Sequence, residues 1–107
     1  MAAAHDGPPV RVEGHLDGTG ELTVSIIGEL DIASVEAAQE GLAPLLGHAP
    51  DRVVFNLEKL DFMDSSGIAL LIQTANRFGS VEVRNPTAIV RRALEVTGLA
   101  ETFGLQP

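Results

Sequence analysis

Apolar and polar side chains alternate at the start of the chain, where Val10, Val12 and Leu16 stand against Arg11, Glu13 and His15. After the turn-forming run Asp17-Gly18-Thr19-Gly20 the alternation resumes as Leu22, Val24 and Ile26 against Thr23 and Ser25. A period of two on both sides of a Gly-rich turn predicts a β-hairpin with one buried face. From Asp31 to Gly47 the period changes: Val35, Ala38, Leu42, Leu45 and Leu46 recur at helical spacing. Ser34 or Asp31 can cap the start of this helix, expected over 33–46, and Gly47 can end it. Val53-Val54-Phe55, inside the segment Arg52 to Leu57, is a continuous apolar run. Runs of that kind mark strands covered on both faces, which places this segment at the centre of the sheet.

Beyond it, Asp61-Phe62-Met63-Asp64-Ser65-Ser66-Gly67 leads into a second helix over 65–78, whose Ile68, Leu71, Ile72 and Ala75 form one apolar stripe. Val81 and Val83 alternate with Glu82 and Arg84 in a strand from Ser80 to Arg84, and Asn85-Pro86 offers a cap and a first-turn proline for a helix over 86–96. There Ile89, Val90, Ala93 and Leu94 take the buried positions and Arg91-Arg92 a solvated face. Thr97 to Phe103, carrying Leu99 and Phe103, fits either a short fourth helix or an extra edge strand. The order ββαβαβα defines an α/β fold, a mixed four- to five-stranded sheet with helices packed on it. Its opening hairpin is antiparallel, and its later strands are parallel through right-handed crossovers.

At 107 residues and 11.2 kDa the chain has room for one core. Residues 1–9, small, polar and rich in proline toward their end, are expected to be a flexible lead-in to a single domain over 10–107. Seven Lys and Arg against 15 Asp and Glu leave a net charge of −8, which argues against a nucleic acid or an anionic membrane surface as partner. Cysteine is absent, removing disulfides, thiolate zinc sites and any Cys nucleophile. Trp and Tyr are absent too, so stacking platforms for bases are missing. The longest apolar run, Ile68 to Ile72, is far short of the ~20 residues of a spanning helix. Together with a first segment unlike a secretory signal, this points to a cytoplasmic protein with no direct membrane binding.

Enzymatic readings find little support. Met63 stands where a nucleophile elbow around Ser65 requires glycine. His5, His15 and His48 fall in the lead-in, on a solvent-facing strand position and in a loop, so no base is placed for Ser65 and no metal-ligand spacing exists. There is no Gly-rich phosphate loop, and no cofactor is expected. The Asp64-Ser65-Ser66-Gly67 turn is itself an ordinary helix start, in which Asp64 or Ser65 serves as N-cap at a value of ~1 kcal/mol. Asp31 is likewise both a candidate cap and a candidate docking residue beside Glu29, and Glu58, Asp61 and Asp64 put negative charge where a helix dipole favours it.

The motifs taken together carry a resemblance. Gly28-Glu29-Leu30-Asp31, Val54-Phe55-Asn56-Leu57, Leu60-Asp61-Phe62-Met63-Asp64-Ser65-Ser66-Gly67 and Thr97-Gly98-Leu99 occur in the order and at the spacing of a STAS domain. Within that group the chain resembles the bacterial anti-sigma factor antagonists. The resemblance implies a non-enzymatic partner switch: the unphosphorylated protein binds an anti-sigma factor that is also a serine kinase, phosphorylation of Ser65 ends the binding, and a PP2C-type phosphatase reverses it. Glu29, Asp31, Asp64, Ser65, Ser66 and Gly67 are the partner-binding residues it implies. Gly67-Ile68-Ala69-Leu70 departs from the familiar Gly-Leu-Gly-Val by a methyl group on the second glycine. The alternative reading is a STAS adaptor subunit of a membrane transport complex, docked through the same loop and never phosphorylated.

Overall fold

In the computed structural model, which describes residues 10–79 and 81–105, the first alternating segment becomes the antiparallel pair β1 (Arg11–Leu16) and β2 (Glu21–Leu30). The expected lead-in, residues 1–9, lies outside the described residues, as does Ser80. Asp17 holds the turn between the two strands, its Oδ1 accepting from the Thr19 N–H, the Thr19 hydroxyl and the Glu21 N–H. Those bonds, led by the Thr19 hydroxyl, lower the Asp17 pKa below the usual aspartate value. The chain continues through α1 (Val35–Leu46), β3 (Arg52–Asn56), β4 (Leu60–Met63), α2 (Ser65–Phe78), β5 (Val81–Arg84) and α3 (Ala88–Val96).

The order is therefore ββαββαβα, one strand more than the pattern predicted, within the expected mixed sheet. Strands β1, β2, β3 and β5 stand side by side, with β3 and β5 parallel to β2, so the Val53-Val54-Phe55 segment is interior and fully buried as expected. The additional strand, β4, is only four residues long and its burial does not alternate, which leaves no period for a sequence reading to detect. β4 exists because β2 is long. Its first half pairs with β3, Glu21 to Ser25 against Arg52 to Asn56, and its second half pairs with β4, Gly28 to Leu30 against Leu60 to Met63. The register shifts between Gly28 and Glu29, where Gly28 has φ +110°, a conformation that L side chains rarely adopt.

One contiguous core joins Leu22, Val24 and Ile26 of β2, Val53 and Phe55 of β3, and Val81 and Val83 of β5 to Ala38, Leu42 and Leu46 of α1, Leu70 and Leu71 of α2, and Val90 and Leu94 of α3. Burying one Leu, Val or Phe is worth ~1.5–3 kcal/mol against exposure, so this face of the sheet dominates the fold energetically. The α2 stripe is rotated from the predicted one. Gly67, Leu70, Leu71 and Thr74 face inward, whereas Ile72 is 37% exposed. The helix is seated along its glycine, and the buried Thr74 hydroxyl is satisfied by donating to the Leu70 carbonyl at 2.9 Å.

α3 begins two residues later than predicted. Asn85 takes φ +57° and forms a turn rather than a cap, and Thr87 occupies the N-cap position while its hydroxyl donates to the Leu60 carbonyl of β4 at 2.9 Å. Ile89, expected inside, is 57% exposed. Neither of the two expectations for Thr97 to Phe103 is met: the segment is a set of turns in which Phe103 is buried and its carbonyl accepts from the Val83 N–H of β5 at 2.9 Å.

Strand alternation sends Glu21, Arg52, Glu82 and Arg84 to the opposite side of the sheet from that core. Arg52 reaches Glu82 at 2.9 Å and Glu21 at 3.6 Å, and Arg84 meets Glu82 at 2.9 Å. The Arg84 hydrogen bond, reinforced by the charges of Arg84 and Arg52, holds the Glu82 carboxyl below the usual glutamate value against a smaller cost of burial. A carboxyl whose folded pKa is depressed stabilises the fold fully above its unfolded pKa and loses that contribution as the pH falls through the folded value. The wild-type melting temperature should therefore fall more steeply below pH 4.5, the ordinary glutamate pKa, than that of Glu82→Gln. High salt should shrink the difference, because these are partly exposed pairs. Thermal melts across that pH range check both expectations.

Candidate functional site

The parallel pairing of β2 with β4 places two segments far apart in sequence at one end of the sheet. Leu30 and Met63 are partners in register, so Asp31 and Asp64 both emerge where their strands stop. The Asp64 N–H donates to the Leu30 carbonyl at 3.2 Å, extending the pairing by one residue past the strand. Glu29, Asp31, Asp64, Ser65, Ser66 and Gly67, grouped from sequence alone, are thereby brought to one region of the molecule.

Asp64, not Ser65, is the N-cap of α2. Its Oδ1 accepts from the Ser66 N–H at 2.8 Å, and its carbonyl accepts from the N–H groups of Gly67 and Ile68 at 3.1 Å. Its other carboxylate oxygen reaches across to the first segment and accepts from the Ile32 N–H at 3.2 Å. Ser65, the first residue of the helix, is exposed, and Ser66 is half-buried. Neither serine hydroxyl is engaged by another group among the described residues.

The facing turn is rigid for reasons that Asp31 and Ser34 supply. The Asp31 carboxylate accepts from the N–H groups of Ala33 and Ser34 at 3.0 and 3.1 Å. The Ser34 hydroxyl accepts from the Asp31 N–H at 3.0 Å and donates to the Glu29 carbonyl at 2.7 Å. Asp31 is thus a turn-forming residue ahead of α1 and not the helix cap the sequence offered, the N-cap position being that of Ser34. At the N-cap position of α1, Ser34 makes no side-chain bond into the helix. Glu29 is half-buried at the end of β2 opposite Phe62 of β4, and Asp61 and Glu58 are exposed nearby in sequence.

Gly67 differs from the five candidate residues with which the sequence groups it. It is buried, and a Cβ there would run into the Met63 Cγ and come within 3.0 Å of Leu30. Its place in the motif follows from packing: only a residue without a side chain lets the first turn of α2 settle against the ends of β2 and β4. Ala69, where the familiar pattern has glycine, is exposed. His15 and His48 are exposed, on β1 and in the α1–β3 loop, and His5 lies outside the described residues. Among the described residues no three His, Asp or Glu side chains are arranged to hold a metal ion, and no helix is long and apolar enough to cross a membrane.

Comparison with known proteins agrees with this geometry. Residues 10–107 match the STAS domain family, and the chain is 30% identical over 106 residues to the anti-sigma-F factor antagonist RsfB of Mycobacterium tuberculosis, spanning 96% of this chain and 84% of that protein. The chain belongs to the STAS family, among its anti-sigma factor antagonists. Anti-sigma factor antagonists are non-enzymatic, partner-switching regulators. A crystal structure of an anti-sigma factor antagonist from Mycobacterium paratuberculosis superimposes with a TM-score of 0.77 at 27% identity, covering 94% of this chain and 90% of that one. The fold is also that of SpoIIAA. Its unphosphorylated form gives a TM-score of 0.72 at 24% identity over 85% of this chain and 84% of that one. The phosphorylated form from Bacillus gives 0.65 at 22% identity over 85% and 86%.

In this antagonist, a methyl group at position 67 should be costly even though alanine is the better helix former. The helix gain of Gly→Ala is about 1 kcal/mol, and overpacking a closed interface costs about 1–3 kcal/mol. Two buried neighbours must move, so Gly67→Ala is expected to lose up to about 2 kcal/mol net, read as a lowered melting temperature and urea midpoint.

Proposed function

We propose that this anti-sigma factor antagonist is switched at Ser65. In its unphosphorylated form it binds an anti-sigma factor that is also a serine kinase, which frees the sigma factor. Phosphorylation of Ser65 ends that binding, and a PP2C-type phosphatase restores it. The cycle is cytoplasmic and involves neither nucleic acid nor membrane contact by this chain. The observation that carries this reading is the exposed, unengaged Ser65 hydroxyl on the first residue of α2, at the meeting point of the two motif segments. The Ser65 hydroxyl oxygen attacks the γ-phosphorus of ATP held by the kinase, its proton passes to a kinase base, and ADP leaves.

The physical consequence falls on the partner. A phosphoserine brings −1.5 to −2 charges and three acceptor oxygens, which the dipole at the start of a helix tolerates at about 0.3–1 kcal/mol in its favour. The same dianion in a desolvated interface without a cation opposite it costs several kcal/mol. Asp64 and the overall charge of −8 add repulsion and supply no counter-charge. Glu29, Asp31, Asp64 and Ser66 form the rest of the docking surface in this reading, and the buried Gly67 supports it from beneath.

Incubation with serine-kinase anti-sigma factors from the same cell, ATP and Mg²⁺, followed by intact mass, should add one phosphate to the wild type and to Ser66→Ala and none to Ser65→Ala. The reverse pattern would assign the acceptor to Ser66. Ser65→Asp should bind the anti-sigma factor at least about tenfold more weakly while its melting temperature stays close to wild type. Calorimetric titration decides the mechanism: equal affinity for the wild type and the Ser65-phosphorylated protein leaves a static adaptor of a transport complex as the better reading.

A further inference from the structure

Ile32 is 78% exposed, more than any other large apolar residue among those described. Isolated apolar residues on a surface are common and need no explanation, but the setting of this one is particular. It stands in a turn whose neighbouring N–H groups are bound, those of Asp31, Ala33 and Ser34 by the Ser34 hydroxyl and the Asp31 carboxylate, and that of Val35 by the Asp31 carbonyl at 2.8 Å. The Ile32 N–H itself is taken by the Asp64 carboxylate, the same group whose other oxygen caps α2 by accepting from the Ser66 N–H. The apolar side chain is thus presented on a fixed turn, tied by one carboxylate to the start of the helix that carries Ser65. An apolar side chain on a fixed backbone loses less freedom when a partner buries it than one on a mobile loop, so more of its burial appears as binding energy.

We infer that Ile32 is an apolar anchor for the anti-sigma factor and that Asp64 is its positioning residue, holding the Ile32 turn against the Ser65 turn so that the partner meets both as one surface. This rests on the reading of Ser65 as part of the partner surface and adds a second element to it. Continuity favours the anti-sigma factor as occupant: the Ile32 N–H and the Ser66 N–H share one carboxylate, so a partner that covers Ser65 reaches Ile32 without crossing another element.

Two substitutions separate anchor from tie. Asp64→Asn keeps one oxygen to cap the Ser66 N–H, asparagine being as good an N-cap as aspartate, and replaces the oxygen facing Ile32 with an amide that cannot accept. Ile32→Ala removes the anchor and leaves every turn bond in place. In the free protein, amide exchange at Ile32 should quicken about tenfold in Asp64→Asn while the melting temperature hardly changes. Against the anti-sigma factor that binds the wild type, each variant should raise Kd by about tenfold, and the double variant should fall well short of the roughly hundredfold of independent contacts, since the tie acts through the anchor. Val96→Ala, at a comparably exposed residue at the end of α3, should bind as the wild type does. Wild-type affinity in Ile32→Ala, or unchanged Ile32 exchange in Asp64→Asn, overturns the inference while leaving the Ser65 switch intact. If the wild type binds no anti-sigma factor at all, the Ser65 reading fails and this inference with it.

Discussion

The Asp64 carboxylate is the joint on which the functional end of this molecule depends. One oxygen starts a helix and the other fastens a turn that lies 32 residues earlier in the chain. The β2–β4 pairing brings the two together, and the close packing of Gly67 against Leu30 keeps the end of β2 beside the start of α2. The Asp64 N–H to the Leu30 carbonyl completes the arrangement, so a single residue contributes a backbone donor, a helix cap and a cross-link. A surface assembled this way is specified by a few hydrogen bonds, each with a net worth of about 1 kcal/mol, resting on a core that is far more stable.

That core is what allows the end of the sheet to be polar and irregular. The strands β2, β3 and β5 bury a continuous apolar layer against the helices, and the register shift at Gly28 occurs only after β2 has left β3. The irregularity therefore lies outside the most heavily buried pairing, in a region where strand β4 is short and two of its four residues are exposed. On the reverse face the Glu21, Arg52, Glu82 and Arg84 side chains pair across strands. Two of the seven basic side chains, Arg52 and Arg84, are engaged there.

Periodicity was informative wherever an element is long enough to have a period. The hairpin, the two long helices and the buried Val53-Val54-Phe55 strand follow from the spacing of their apolar residues, and α2 runs over the residues expected of it. β4 escaped because Leu60-Asp61-Phe62-Met63 has apolar ends around a polar-apolar middle, a pattern that fits a loop as well as a strand. A hint was present in Gly28, an isolated glycine inside a strand, which is a common sign of a bulge and so of a change of partner. The helical face of α2 was misjudged because hydrophobicity ranks isoleucine above glycine and threonine, whereas close approach ranks glycine first. The candidate site was legible as a set of motifs, but its unity was not: the bond from Ile32 to Asp64 joins residues that no local pattern relates.

Ser65 and Gly67 stand two residues apart in one motif and answer to different demands. The first faces solvent, and the second is a space that must stay empty. Small losses of folding free energy change the steady-state amount of a protein in the cell several-fold, through proteolysis of the unfolded fraction. A cell carrying a larger residue at position 67 would hold less antagonist, and its sigma factor would stay sequestered for want of molecules. On the proposed switch, a cell with alanine at position 65 would hold the usual amount, locked in the binding form. The first defect then leaves the sigma factor sequestered and the second leaves it released, and an immunoblot separates a shortage of antagonist from a locked one, so one motif carries both the contact and the amount of protein that can make it.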